Sequence, residues 1–375
     1  MIETPPDTIE EFLRLPVGLE SDDPRFVVRR IPPAEYERVY ACVDEAFGRV
    51  RPRDHYDWMY RRNPYGHARI WGVEEAATGR LLKTGAFFPW PIWRGPEAIR
   101  GSMAGDVATV PDWQRQGLTR IRRIVRRSHP WAGTICTIAG PNEGSRIVTR
   151  KAGEAETMLG ALPGGVLVLR GAGVLARAGL PRMAARPVGR VADGVLALWS
   201  RLGLGRVERG VRQGVGRFEP VTRFDVAFDA VTERTMAFPG YWSPHNADFL
   251  NWRYLDHPVE RYVAFALVED ERPVAYSVLR LDGEQATLAE FAAEGLPSRH
   301  GPRLLAETIA VARAAGCAWV DFFSTPTWRH WGLFRRAGML PFRTRNHLDA
   351  AYKLDEAGAQ DVRNWQLTPG DRDYH

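Results

Sequence analysis

Gln114, Arg115, Gln116 and Gly117 sit where an apolar run, "MAGDVATV", passes through Pro111 into a periodic basic segment, "LTRIRRIVRRS". A strand that enters a helix through such a turn leaves several backbone N–H groups without intrahelical acceptors, and the helix dipole adds partial positive charge there. That combination cradles an anion, and a phosphate suits it. Gly117 removes the side chain where a diphosphate has to approach, while Gln114 and Arg115 reach the rim. The expected contacts run along the backbone of Ala108, Thr109 and Val110 and on through Gln116, Leu118 and Thr119. Asp106 lies in the strand that feeds the turn, in an apolar context that suits a carboxylate to proton transfer. The alternative for Asp106 is a structural one, pairing with an arginine or capping a backbone amide.

The positioning elements are legible around this turn. "RFVVRRI" reads as a strand, and "PAEYERVYACVDEAFG" reads as a helix closed by Gly48. "ARIWGVEEAATGRLLKTGAFF" alternates about a Thr-Gly turn as a hairpin does. After the turn, Leu118, Ile121 and Val125 take the core-facing positions of a helix whose other face carries Arg120, Arg123 and Arg127. "GTICTIAG" is a further strand, and "EGSRIVTRKAG" is a short helix ended by Gly153. Trp90 and Trp93, in the Pro-rich "FFPWPIWRG", are expected on a loop lining a substrate pocket.

Two segments recur. "HYDWMYRRNP" at 55 aligns with "FLNWRYLDHP" at 249, placing Trp58, Tyr60 and Pro64 on Trp252, Tyr254 and Pro258. "GPNEGSRIVTRKAGE" at 140 aligns with "TPTWRHWGLFRRAGM" at 325. The anchors keep their order, which points to two copies of one domain. The repeated Trp and Tyr pairs read first as core packing. The second copy offers a hairpin in "RYVAFALVEDERPVAYSVLRL", a helix in "PRLLAETIAVARAAG", a strand in "AWVDFF" and a capped turn in "LFRRAG".

Composition narrows the class. No apolar run approaches the ~20 residues of a membrane-spanning helix, and "MIETPPDTIEEF" lacks signal-peptide character, so a cytoplasmic protein is expected. Cys42, Cys136 and Cys317 stand apart from one another and from any histidine at ligand spacing, so neither a disulfide framework nor a bound metal is expected. Residues 163–217 carry ten arginines against Asp193 and Glu208. This segment reads as a helical linker, with contact to an anionic partner as the second reading. Gly171, Gly173 and Ala176 mimic a dinucleotide fingerprint, but no βαβ series follows them.

"VPDWQRQGLT" resembles the coenzyme-A-binding signature of the GNAT acyltransferase superfamily, Gln/Arg-x-x-Gly-x-Gly/Ala, with Thr119 departing at the last small position. "PNEGSRIVTRKAGE" is similar to that family's second signature, in which Asn142 and Ser145 would touch the pantetheine arm. The resemblance implies an α/β (α+β) chain of two GNAT-like domains, each a mixed, mostly antiparallel sheet flanked by helices. Their expected order is an extension at 1–25, an acyl-CoA-binding domain at 26–162, the basic linker at 163–217, a degenerate copy at 218–352 and a tail at 353–375.

The implied reaction moves an acyl group, acetyl or larger, from coenzyme A to the amine of a small molecule or amino sugar. Asp106 would be the base, and Thr149 stands where the family often places a Tyr acid; Phe334 fills that place in the second copy. That copy lacks the glycine turn, so it would shape the acceptor site, with Glu290 and His330 as the residues able to meet an amine and solvated surface as their alternative. Two rivals stand beside this reading: an aminoacyl-tRNA-dependent transferase of tandem-GNAT type, and a ligand-binding protein that has lost acyl transfer.

Overall fold

In a computed structural model of the chain, the described residues are 9–14, 19–20, 23–119, 121, 136–140, 158–170, 216–294, 299–352 and 357–371. The chain divides into two compact units of mixed α/β structure. One comprises residues 1–160, 347–361 and 372–375, and the other 161–346 and 362–371.

The first unit opens with α1 (Ile9–Arg14) and the short β1 (Leu19–Glu20), which pairs with β2 (Phe26–Ile31). β2 leads through a 3-10 turn into α2 (Tyr36–Phe47). Gly48, at φ 64°, ends α2 by donating its N–H back to the carbonyls of the last turn, as the sequence expects. α2 buries Tyr36, Val39, Tyr40, Cys42 and Val43 on one face, and α3 (Arg53–Tyr60) buries Tyr56, Trp58, Met59 and Tyr60.

β2, β3 (Arg69–Glu75), β4 (Leu81–Arg94) and β5 (Glu97–Thr109) form an antiparallel meander. Gly79, at φ 69°, turns the β3–β4 hairpin. β6 (Cys136–Ala139) then pairs parallel to β5, and Asp349–Tyr352 closes its far side antiparallel.

The Pro-rich stretch is strand, not loop. β4 runs unbroken through Pro89 and Pro91 to Arg94, in register with β5 down to Arg94↔Glu97. The rungs from β3 stop at Phe87, so neither proline removes a donor from that ladder.

The second unit includes β7 (Met158–Val168) from Ala161 onward. β8 (Arg217–Val221), β10 (Tyr262–Glu269), β11 (Arg272–Asp282) and β12 (Gln285–Ala292) make another antiparallel meander. β13 (Trp319–Phe323) runs parallel to β12, and β7 pairs antiparallel with β13.

The expected hairpin is present, turning at Asp270 and Glu271 with both residues at positive φ. Helices α4 (Ala227–Met236), α5 (Ala247–Leu250), α6 (His300–Ala314) and α7 (Trp331–Arg336) complete the unit, with a π-helical turn, Asn251–Leu255, continuing α5. The short β9 (Tyr241–Trp242) pairs with β15 (Trp365–Gln366), and β14 (Leu340–Tyr352) follows α7. The core joins Leu279, Leu288, Phe291, Leu305, Ile309, Phe322, Trp328 and Phe334.

One expectation about the connecting segments differs from the structure. Pro163–Val168, at the start of the arginine-rich segment, is β7 strand rather than helical linker. Residues 171–215 lie outside the described residues. Part of the C-terminal tail packs into the second unit. Trp365, Leu367 and Asp371 are buried in the second unit, because Ser324 and Thr327 donate to the carbonyls of Leu367 and Trp365, and Gln366 donates to that of Met236.

Candidate functional site

Among the described residues, β5 is paired on both edges from Gly101 to Ala104. Its ladder with β6 ends at Ala104↔Ala139, while β5 itself continues to Thr109, paired there with β4. Beyond Ala104 no further rung joins these two parallel neighbours among the described residues, which leaves that edge of β5 without a described strand partner. Val110 anchors the exit, its N–H bonding to Leu82 O, and a 3-10 turn, Pro111–Trp113, redirects the chain.

The turn then presents its backbone. Arg115 and Gly117 both have left-handed backbones, at φ 65° and 85°. Helical structure begins at Leu118 and Thr119, and Ile121 N bonds back to Gly117 O. The amides before that bond lack intrahelical acceptors, as at any helix start.

The turn's long side chains fasten away from these amides. Gln114 Nε2 donates to Thr109 O at 3.2 Å, and Gln116 Nε2 donates to Asp112 O at 2.8 Å. A Cβ built on Gly117 would meet no heavy atom of the described residues within 4 Å, so the corner is open among them. Gln114, Arg115, Gln116 and Gly117 are exposed, whereas Leu118 is buried and pins the helix start to the core. Thr109 Oγ1 accepts from the buried Lys83 Nζ at 2.8 Å. The arrangement can bind an extended anion: a backbone edge along β5 for amide-like groups, and an open helix start for phosphate.

Asp106 lies directly upstream of this edge. Between the pairs Ala86↔Gly105 and Thr84↔Ala108, Asp106 and Val107 oppose the single residue Gly85, which makes a β-bulge. Asp106 takes φ 44° there, a conformation that costs a non-glycine residue about 1–2 kcal/mol. Its buried carboxylate is held from two sides. Arg51 Nη1 donates to both oxygens, at 2.8 and 3.0 Å, and Tyr60 Oη donates to Oδ2 at 2.9 Å. Of the two roles read for Asp106, the arginine pairing is the one seen in the structure. Burial first, and then the neighbouring Asp106 carboxylate, push the Tyr60 phenol well above its ordinary value, so Tyr60 stays a hydrogen-bond donor.

A model described as an acetyltransferase (GNAT) domain matches residues 27–129, a span containing the strands, the bulge and the open turn. Residues 27–129 are a GNAT acetyltransferase domain. No curated protein matches the chain. Solved structures with a similar fold include the following N-acyl transferases. A probable N-acyltransferase from Enterococcus faecalis V583 has 11% identity and a TM-score of 0.60 over 87% of this chain and 72% of that chain. A GCN5-related N-acetyltransferase from Anabaena variabilis has 9% identity and a TM-score of 0.56 over 88% and 73%. Saccharomyces cerevisiae N-myristoyltransferase with bound myristoyl-CoA has 12% identity and a TM-score of 0.54 over 92% and 82%.

The other expected site residues are placed unevenly. Within the GNAT domain, Trp90 is buried in β4 and Trp93 is half-buried near its end, so they belong to the sheet. Asn142, Ser145 and Thr149 lie outside the described residues. Glu290 and His330 belong to the second unit and are buried there rather than solvated. His330 stands against Phe291 and Trp328, and burial, aided by Arg329, lowers its pKa to about 3, leaving a neutral core ring. Phe334 stacks on Trp328 in the same cluster.

Glu290 anchors a polar network instead. Its Oε1 accepts from Tyr254 Oη at 2.6 Å and Thr368 Oγ1 at 2.8 Å, and lies 2.7 Å from His245 Nδ1, off the line of a straight hydrogen bond. His245 Nε2 meets Asp371 Oδ1 at 2.9 Å. Burial pulls the His245 pKa down, but Asp371 and Glu290 outweigh it and raise the value to about 10.

Sequence reasoning missed Arg51, Lys83 and His245. A signal for two of them was present: Arg51 and His245 are separated by the same interval as Trp58 and Trp252, and as Tyr60 and Tyr254. Among the described residues no group of His, Cys, Asp and Glu could hold a metal ion, and no helix is long and apolar enough to cross a membrane.

Proposed function

We propose that the chain is an acyl-CoA-dependent N-acyltransferase that moves an acetyl or larger acyl group to the amine of a small molecule or amino sugar. The observation that carries this is the open corner at Gly117, immediately after a strand whose described rungs to its parallel neighbour end at Ala104. The diphosphate of coenzyme A sits on the amides from Arg115 to Thr119, with the Arg115 side chain at the rim. The pantetheine arm runs antiparallel to β5 near Ala108 and Val110, where Asn142 and Ser145 would complete its contacts. The thioester carbonyl then lies beside the bulge, where backbone N–H groups stabilise the oxyanion formed as the amine attacks. The carbon–nitrogen bond forms as the amine attacks and sheds its proton to solvent; collapse of the oxyanion then breaks the carbon–sulfur bond, and the departing thiolate takes a proton from solvent or from Thr149, the residue that the family resemblance assigns to that role.

The second unit is a degenerate GNAT-like copy. In each unit a four-stranded antiparallel meander is followed by a parallel strand and then an antiparallel one. The turn of the GNAT domain has no counterpart in "AAEGLPSRHGPRLL", so one coenzyme per chain is expected. Titration calorimetry with CoA, acetyl-CoA and myristoyl-CoA tests this, followed by a thiol-release assay over a panel of amines. Tight binding at one site with amine-dependent thiol release supports the transferase. Binding without release from any amine supports a ligand-binding protein.

A further inference from the structure

Asp106 faces a structural demand that its residue type does not meet unaided. It holds a left-handed backbone in the middle of β5, where two residues oppose one. Glycine is the usual occupant of such a bulge position, because any Cβ disfavours it. Asp106 is kept there by its side chain. Arg51 precedes α3 and Tyr60 ends it, so the two flanks of one helix close on one carboxylate. With both oxygens engaged and the side chain 1% exposed, the carboxylate is already spent on protein contacts.

The second unit repeats the pattern independently. His245 precedes α5, Tyr254 lies in the helical turn that continues it, and both meet Glu290. β12 is also irregular there: Ala289 falls between the pairs Leu279↔Leu288 and Val278↔Glu290. Basic residue and tyrosine are separated by the same interval in both units. A helix flanked by a base and a tyrosine, gripping a carboxylate at a strand bulge, is thus a repeated device of this chain.

We propose that Asp106 is a positioning residue: gripped by Arg51 and Tyr60, it sets the β5 bulge in the shape that aims the following backbone amides at the acyl carbonyl. This rests on the acyl-CoA reading above. It assigns the carboxylate a mechanical part and gives the electrostatic part to the backbone. The residues concerned act through β5 and do not touch substrate.

The test compares Asp106→Ala, Asp106→Gly and Tyr60→Phe with the wild-type chain. Isotope-edited infrared spectra of acetyl-CoA labelled with ¹³C at the thioester carbonyl read the hydrogen bond to that carbonyl, and calorimetry reads affinity. Wild type is expected to bind acetyl-CoA with the carbonyl band shifted below its position in free solution. Asp106→Ala and Tyr60→Phe are expected to lose much of that shift while the dissociation constant changes by no more than about threefold.

Asp106→Gly, whose backbone enters the left-handed region without help, is expected to regain a clear part of the shift lost in Asp106→Ala. Equal loss in the Gly and Ala variants, or a wild-type band unshifted while acetyl-CoA binds, overturns the proposal. Should Asp106→Ala not fold, Tyr60→Phe against wild type decides, since it removes one hydroxyl only. Failure of the wild-type chain to bind acetyl-CoA removes the acyl-CoA reading and this inference with it, an outcome separate from binding without a shift.

Discussion

Tyr60 donates its phenolic hydrogen to Asp106 at 2.9 Å, tying the last residue of α3 to the bulge of β5. In the second unit Tyr254 does the same for Glu290 at 2.6 Å. These contacts fix where the sheet departs from regular pairing, and in the GNAT domain that departure lies just upstream of the Gln114–Thr119 turn.

Arg51 and Asp106 are both buried, so their pairing has a strong asymmetry. Arg51→Met leaves the carboxylate without its cation, and unfolding in urea is expected to show a loss of about 3–5 kcal/mol. The double variant Arg51→Met/Asp106→Asn removes the stranded charge and should recover a substantial part of that loss. Equal stability of the single and double variants would show that the pair is not coupled.

His245 gives a pH signature whose sign is fixed by the direction of its shift. Its folded pKa is raised to about 10 from an ordinary 6.5, so the protonated ring stabilises the fold. That contribution is fully present below about pH 6.5 and is lost progressively as pH rises towards 10. The difference in melting temperature between wild type and His245→Gln should therefore be largest near pH 6 and shrink by pH 10. A difference that grows with pH would contradict the bridged imidazolium.

Gly370 is packed where a side chain has no room. A Cβ there would collide with Tyr254 Oη and Glu290 Oε1. Gly370→Ala should lower stability by about 1–3 kcal/mol in urea, as overpacking does. Because Arg253 Nε donates to Gly370 O, limited proteolysis should also show earlier cleavage near residue 370 in that variant.

Much of this was legible in the sequence, and the rest was hidden for definable reasons. The Gly48 cap, the Thr78-Gly79 hairpin and the turn at Gln114–Thr119 were readable because each rests on local backbone chemistry. The continuation of β4 through Pro89 and Pro91 was not, since it depends on which edge of the strand carries rungs. Glu290 and His330 were candidates for meeting an amine because their burial is set by partners far along the chain. Thr368 and Asp371 close over Glu290 and His245, and an aromatic cluster encloses His330. Tyr60 and Tyr254 are visible as a repeat that reads first as packing, because the carboxylates they grip lie on strands 46 and 36 residues downstream.

On the proposed acyl-CoA function, Gly117 is the residue on which coenzyme binding most directly depends. Titration calorimetry with CoA, comparing wild type with Gly117→Val, tests it, with the melting temperature of each protein as the control for folding. The expected result is one CoA bound per wild-type chain and an affinity at least about tenfold weaker in Gly117→Val, since a β-branched residue resists φ 85° and fills the open corner. Equal affinity in the two proteins, or no heat of binding in either, would contradict it.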